Sequence, residues 1–293
     1  MAFTIKDLET LSGIKAHTIR IWEQRYSFLQ PARTPTNIRT YSNDDLKTLL
    51  TVSLLNKYGY KISRISDMAQ EERNRTALHL LPPDAQVEYL VNELIGCMID
   101  MKVAEFEKML DDYIARHGLF DSITSLIFTF LEKVGMLWQT DRVNPAHEHI
   151  VTCLIRQKIV SAINDLPAVA GDGPQFLLLL PEGEHHELGL LFVHFLLRKA
   201  GIPLIYLGAN VPVKDTLYVV RAKRPRYLYI HLTAMPTHFN FQRYLTALAA
   251  GAPASTLLFS GAPVQSYKKE IPSNVQIFKS LSDVLAYISR VRR

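Results

Sequence analysis

At 293 residues and 48% hydrophobic, the chain is long and apolar enough for two or three domains with real cores, which excludes a disordered or low-complexity protein. No apolar run reaches membrane-spanning length, and MAFTIKDLETLSG carries charge too early for a secretory signal, so a cytoplasmic protein without a membrane partner is expected. A formal charge of +5 permits a polyanionic partner, and Cys97 and Cys153, both in apolar helical runs, read as core thiols.

Residues 1–77 form the first expected domain. TIKDLETLSG is a short helix stopped by Gly13, and KAHTIRIWEQRYS is a second helix after a tight turn. Ile5, Leu8 and Leu11 recur at helical spacing, as do Ile14, Thr18, Ile19 and Trp22, which predicts a helix-turn-helix. The prolines of FLQPARTPTNIRTYS predict an extended loop or hairpin. Ser42 then caps a helix with Asp44 and Asp45 in its first turn, whose stripe Leu46, Leu49, Leu50, Val52 and Leu55 packs back on the first two. Between Lys15 and Tyr41, Lys15, Arg20, Arg25, Arg33 and Arg39 face one acid, Glu23. His17, Arg20 and Arg25 suit a recognition helix, and Arg33, Thr34, Thr36, Asn37, Arg39 and Tyr41 supply phosphate-type donors in one wing.

TIKDLETLSGIKAHTIRIWEQRY followed by RTPTNIRTYSNDDL resembles the winged helix-turn-helix domain of MerR-type transcription regulators, over roughly residues 2–70. The resemblance implies a second helix in the major groove and a wing on the backbone of double-stranded operator DNA. Arg20 matches the family's arginine after the Thr-Ile pair, and Arg39 and Tyr41 match its Arg-x-Tyr; Ser27 replaces a usual glycine. One such domain contacts too few phosphates and bases for a specific regulator, so a homo-oligomer is expected.

Residues 78–167 read as four helices with short joints, an antiparallel bundle. Residues 168–293 alternate short apolar strands (175–180, 202–207, 226–231, 255–260, 275–278) with helices, which predicts a doubly wound, mostly parallel sheet. PEGEHHELG follows the first strand and so falls at the carboxyl edge, where such sheets bind ligands. This stretch has no Cys/His/Asp set that closes a zinc site, no Ser or Cys nucleophile and no glycine-rich phosphate cradle. Two readings stay open: solvated loop histidines, or one imidazole for a metal already held by a cofactor, with Glu184 fixing its tautomer.

Glu184-x-His186-x-x-Gly189 resembles the Asp/Glu-x-His-x-x-Gly signature of cobalamin-binding Rossmann-like domains. The resemblance implies His186 as the lower cobalt ligand, Glu184 as its orienter and Gly189 as the small residue beside the nucleotide tail, with His185 lacking that role. YLGANVP places Gly208 near the tail, HLTAMP supplies Thr233 for the dimethylbenzimidazole, and FSGAPV places Gly261 at a close approach, with Ala262 where a second glycine is often found. In the bundle, Trp138 with Glu148 and His149 resembles the Trp-x9-Glu-His motif of CarH-like photoreceptors, MerR-type repressors using adenosylcobalamin. There the tryptophan packs on the adenosyl group and the glutamate meets its sugar hydroxyls. Gln139 departs from the histidine usual after that tryptophan.

The expected protein is therefore multidomain: an all-α winged helix-turn-helix, a four-helix bundle covering the cofactor, and an α/β Rossmann-like cobalamin domain. Its expected function is transcription repression controlled by light through adenosylcobalamin-dependent oligomerisation, without enzymatic activity. Gln139 and Ala262 leave open a light-independent regulator sensing cobalamin or a protein partner. A corrinoid carrier for a methyltransferase or mutase is a third reading.

Overall fold

The computed structural model describes residues 2–138, 143–169, 175–235 and 239–292, which divide into two compact units, 1–154 and 155–293. None of the described helices is long and apolar enough to cross a membrane.

In the first unit, α1 (Ile5–Ser12) starts at Thr4, whose side chain accepts from the Asp7 N–H while Asp7 reaches back to the Thr4 N–H. It ends at Gly13, whose φ of +71° suits a residue without Cβ. α2 (Ala16–Arg25) follows, then the antiparallel pair β1 (Ala32–Arg33) and β2 (Arg39–Thr40). The domain expected to be all-α thus carries a two-stranded wing, since Pro31 and Pro35 cannot supply helical N–H donors there. α3 (Asn43–Lys57) starts on a Ser42–Asp45 capping box.

The predicted stripe of α3 is buried, but so are Thr51, Ser53 and Leu54, so this helix is covered nearly all round. It packs on α1 and also on α4 (Ile62–Asp67), α5 (Gln70–His79) and α6 (Pro83–Ile99). Residues 1–77 therefore share a core with the first of the bundle helices. Lys47 pairs with Asp100, and Lys57 Nζ lies 2.7 Å from Glu88, tying α3 to α6 and its C-terminus.

Helix α7 (Val103–Asp121) is interrupted at Gly118 (φ +77°, ψ 163°). A π-helical turn, Ser122–Ile127, then leads into α8 (Phe128–Trp138). α6 packs on both α7 and α8, and Phe106 meets Phe130 edge-on at 5.4 Å. α9 (Pro145–Asn164) buries Val151, Ile155, Ile159 and Ile163, one residue per turn along a single stripe.

The second unit holds five parallel strands: β3 (Phe176–Pro181), β4 (Leu204–Val211), β5 (Tyr227–His231), β6 (Thr256–Ser260) and β7 (Val275–Ile277). Their order is β4-β3-β5-β6-β7. The helices are α10 (Leu188–Lys199), α11 (Val213–Lys223), α12 (Phe241–Gly251), α13 (Ala262–Gln265) and α14 (Leu281–Val291). β3 is buried at every position, as expected of a strand covered on both faces. Leu177, Leu179, Leu228, Ile230, Leu257 and Phe259 join Val220 of α11 and Leu245 and Leu248 of α12 in one core. The second strand outruns its prediction: it continues through Gly208 to Val211 with register shifts against β3. Left-handed conformations at Gly208 (φ +85°) and Asn210 (φ +58°) accommodate that irregular extension.

Candidate functional site

Two regions collect the residues singled out by sequence, one in each unit.

On α2, Ile19 and Trp22 are buried while His17, Arg20, Gln24 and Arg25 are exposed. His17, Arg20 and Gln24 stand at i, i+3 and i+7, so they share one outward face. At the wing tip the Thr34 N–H donates to the Ile38 carbonyl at 2.9 Å, and Asn37 takes a left-handed φ of +62°. Arg33 is exposed and donates through Nη1 to Asn37 Oδ1 at 2.8 Å.

Arg39 and Tyr41 differ from the expectation of a wing that presents both to phosphate. Arg39 Nε donates to both oxygens of Glu23 at 2.9 Å, and that hydrogen bond raises its pKa further. Tyr41 is 1% exposed and donates to Glu23 Oε2 at 3.2 Å. Burial, and then the Glu23 charge, push its hydroxyl up to about 12. Both side chains thus fasten the wing to α2, and Glu23 is the acid between them. The scarcity of acids in this stretch made Glu23 conspicuous; only the fold shows that it occupies two of the wing's donors.

The second region lies at the carboxyl edge of the sheet. β3 is flanked by β4 and β5, so the chain leaving β3 turns to one side and the next strand lies on the other. This is the topological switch point, where a crevice forms outside the strand ends. Glu184 sits there, 1% exposed. One oxygen accepts from the His185 N–H (2.8 Å), the His186 N–H (2.9 Å) and His186 Nδ1 (2.6 Å). The other accepts from the N–H groups of Thr233 (3.0 Å) and Ala234 (2.8 Å), beyond β5. Burial alone would raise the Glu184 pKa. The bonds from the His186 ring and backbone and from Ala234 outweigh it and hold the group at about 2.

With Nδ1–H given to Glu184, the neutral His186 ring carries its lone pair on Nε2. Its side chain is 55% exposed. The loop is pinned further: Thr233 Oγ1 donates to the His186 carbonyl at 3.3 Å, and the Gly183 N–H donates to Asn210 Oδ1 at 2.9 Å. Glu187 accepts from Tyr206 Oη at 2.9 Å and pairs with Arg156 of α9, fastening this loop to that helix. Sequence reading missed Asn210, Glu187 and Arg156, whose partners here lie 19–31 residues away.

Of the three glycines expected around the nucleotide tail, Gly189 and Gly261 already stand against protein neighbours, whereas Gly208 keeps ordinary spacing. A Cβ on Gly189 would stand 2.4 Å from His231 Nε2, and one on Gly261 1.8 Å from the Leu232 carbonyl oxygen. His231, also missed by sequence reading, accepts from or donates to Ser260 Oγ at 2.8 Å through Nδ1. Burial holds its pKa down near 4, against the pull of Glu184, so the ring is neutral at neutral pH.

Among the bundle residues, the Trp138 indole ends α8 with 39% exposure. Glu148 is half-buried and His149 exposed in the first turn of α9, while His147 is buried with Nδ1 3.1 Å from the Asn144 carbonyl. Gln139 lies outside the described residues.

A cobalt corrinoid can be tested against this donor set. Among the described residues no three His, Cys, Asp or Glu side chains converge on one point, so His186 stands as a single oriented imidazole. One imidazole backed by an ionised carboxylate fits a metal whose remaining ligands belong to its cofactor.

Comparison with known proteins finds a matching domain in each unit. Residues 3–72 match the MerR HTH family regulatory protein domain, and residues 174–278 match the B12 binding domain. The HTH-type transcriptional repressor CarH of Myxococcus xanthus is 27% identical over 267 residues, covering 88% of this chain and 88% of that protein. The HTH-type transcriptional repressor CarA of the same organism is 27% identical over 296 residues, covering 100% and 98%. The monomethylamine corrinoid protein of Methanosarcina barkeri superposes with a TM-score of 0.56 at 15% identity, over 69% of this chain and 98% of that one, a likeness of fold. The chain thus joins a MerR-type helix-turn-helix domain to a C-terminal B12-binding domain, which makes it a DNA-binding transcription regulator with a site for a cobalamin-type cofactor.

Proposed function

We propose that this chain is a light-released repressor: an adenosylcobalamin-loaded homo-oligomer that holds operator DNA in the dark and lets it go on illumination. The observation that carries the reading is the Glu184–His186 pair at the switch point, an imidazole whose Nδ1–H is held by a carboxylate at 2.6 Å. Similarity to two repressors over most of the chain supports the sign of regulation.

When bound, adenosylcobalamin supplies a cobalt–carbon bond that light breaks. His186 Nε2 is the proposed cobalt ligand, and Glu184, by accepting from Nδ1–H, selects the tautomer whose lone pair lies on that nitrogen and aims the ring. Gly208, Thr233 and Gly261 lie along the proposed path of the nucleotide tail; Gly189 joins them once the His231 ring leaves the space above it. Trp138, a large apolar face exposed at a helix end, is proposed to pack on the adenosyl side, with Glu148 accepting from ribose hydroxyls and His149 beside it. His17, Arg20, Arg25 and Arg33 are the proposed DNA contacts, with Arg39 and Tyr41 holding the wing that carries Arg33. Several linked DNA-binding domains act at high effective concentration, so dissolving the oligomer is enough to empty an operator.

The purified chain, incubated with adenosylcobalamin and desalted in darkness, is expected to keep a corrinoid absorption spectrum that green light changes. His186→Ala is expected to lose the cofactor or alter its cobalt spectrum, and His185→Ala to do neither. Equal retention and identical spectra for wild type and His186→Ala would remove the ligand assignment. Gln139 and Ala262 favour a second reading, a light-independent regulator sensing cobalamin or a protein partner. It takes over if the loaded protein shows the same mass and the same DNA affinity before and after illumination.

A further inference from the structure

The amino edge of the parallel sheet, opposite the edge bearing Glu184 and His186, is a basic surface. Helices that return between parallel strands run against them, so α10, α11 and α14 all end at this edge. Lys199 ends α10, Lys223 and Arg224 end α11, Arg226 opens β5, and Arg290 and Arg292 end α14; all six are exposed. Ring contacts draw two of these elements together. Arg226 lies 5.3 Å over the Tyr227 ring, Tyr227 meets Tyr287 edge-on at 5.6 Å, and Arg290 lies 5.3 Å over Tyr287. β4, β3 and β5 are neighbours spaced about 4.8 Å apart, which brings Lys199 to the same edge.

The acids are elsewhere. Within residues 175–292 they are Glu182, Glu184, Glu187, Asp215, Glu270 and Asp283. The first three follow β3, and Asp215 and Asp283 stand in the first turns of α11 and α14, all at the carboxyl edge; Glu270 lies between α13 and β7. The described acid at the amino edge is Asp165, after α9, whose end Arg198 Nη2 reaches through the Leu166 and Pro167 carbonyls. None of the six cations forms an ion pair with a described carboxylate. Helix dipoles favour a cation at a C-terminus. They account for one per helix, whereas α11 and α14 each present two, with Arg226 added between them.

We propose that this amino edge is a second polyanion surface, gripping the phosphate backbone of the duplex beyond the stretch contacted by α2. The inference rests on the DNA-binding role of the N-terminal domain. Each phosphate that a lysine or arginine neutralises releases condensed counterions and adds about 0.9 to the slope of log affinity against log salt. Individually weak contacts of this kind gain from tethering, because the N-terminal domain holds the same polypeptide on the same duplex.

The test titrates a random-sequence duplex of about 60 base pairs with the full chain, loaded with adenosylcobalamin and kept in darkness, across a range of salt. Wild type is compared with K223Q/R226Q/R290Q/R292Q and with R226K/R290K/R292K, and oligomer mass is measured by light scattering in parallel. The glutamine variant is expected to lower the salt slope by about two to four units and to weaken binding tenfold or more, at unchanged mass; the lysine variant should keep the wild-type slope. An unchanged slope for the glutamine variant overturns the proposal while leaving the DNA-binding role intact. An affinity loss that accompanies a fall in mass also overturns it, since the edge is then an interface between copies. Failure of wild type to bind any duplex removes the DNA-binding role itself.

Discussion

Glu184→Gln changes one oxygen to an amide nitrogen in a place where every neighbour is a donor. Glu184 accepts three hydrogen bonds on one oxygen and two on the other. The best amide orientation keeps its oxygen toward the His186 loop and turns NH2 against the N–H groups of Thr233 and Ala234. Two buried backbone donors then lose their acceptor, at about 1–3 kcal/mol each, or roughly 2–6 kcal/mol together. The ionisation of Glu184 leads to a similar figure. A pKa depressed to about 2 from an ordinary value near 4.5 corresponds to about 3 kcal/mol, at 1.36 kcal/mol per unit. Because the folded value is the lower one, this stability is present above about pH 4.5 and is lost as pH falls toward 2. Both tryptophans, Trp22 and Trp138, lie in the first unit, so their fluorescence does not report on this one. Hydrogen exchange of β3 and β5 does. Exchange in the variant should be faster by a factor equivalent to about 3 kcal/mol at pH 7, and the difference should shrink with acidification. A pH-independent difference, or one below about 0.5 kcal/mol, would refute the role assigned to this carboxylate.

Arg39→Ala is expected to destabilise the first unit by about 1–3 kcal/mol, seen in Trp22 fluorescence on denaturation, because Glu23 is left partly buried without its cation. Its DNA salt slope should move less than that of Arg20→Ala, which should fall by about one unit; a full unit lost with Arg39→Ala at unchanged stability would make Arg39 a phosphate contact after all. Trp138→Ala removes an indole that is 39% exposed and otherwise covered, so its unfolding free energy should fall by about 1–3 kcal/mol, less than for a fully buried tryptophan. The same variant should assemble poorly with adenosylcobalamin in the dark, which light scattering measures; a wild-type dark mass would take Trp138 out of the cofactor site.

Local signals in the sequence extend about one helical turn, and what they can reach they determine. Ser42 announces a helix start because its cap is completed by Asp45 three residues on, and the structure adds the same pattern at Thr4 and Ser280. Gly13 announces a stop because only a residue without Cβ adopts that conformation cheaply. Glu184-x-His186 was legible for the same reason, since two residues suffice for the carboxylate to reach the ring nitrogen. What lay beyond that range waited for the sheet order. Glu184 gains Thr233 and Ala234 as partners 49 and 50 residues away only because β5 pairs directly with β3. Arg39 and Tyr41 turn from the expected DNA surface toward Glu23 because the hairpin folds back on α2 across 16 and 18 residues. Gly189 was expected to leave space for a ligand, and the fold brings His231 over it from the neighbouring strand's end. A sequence pattern states which atoms a residue can offer; the pairing of distant strands and helices decides which partner stands within 3 Å of them.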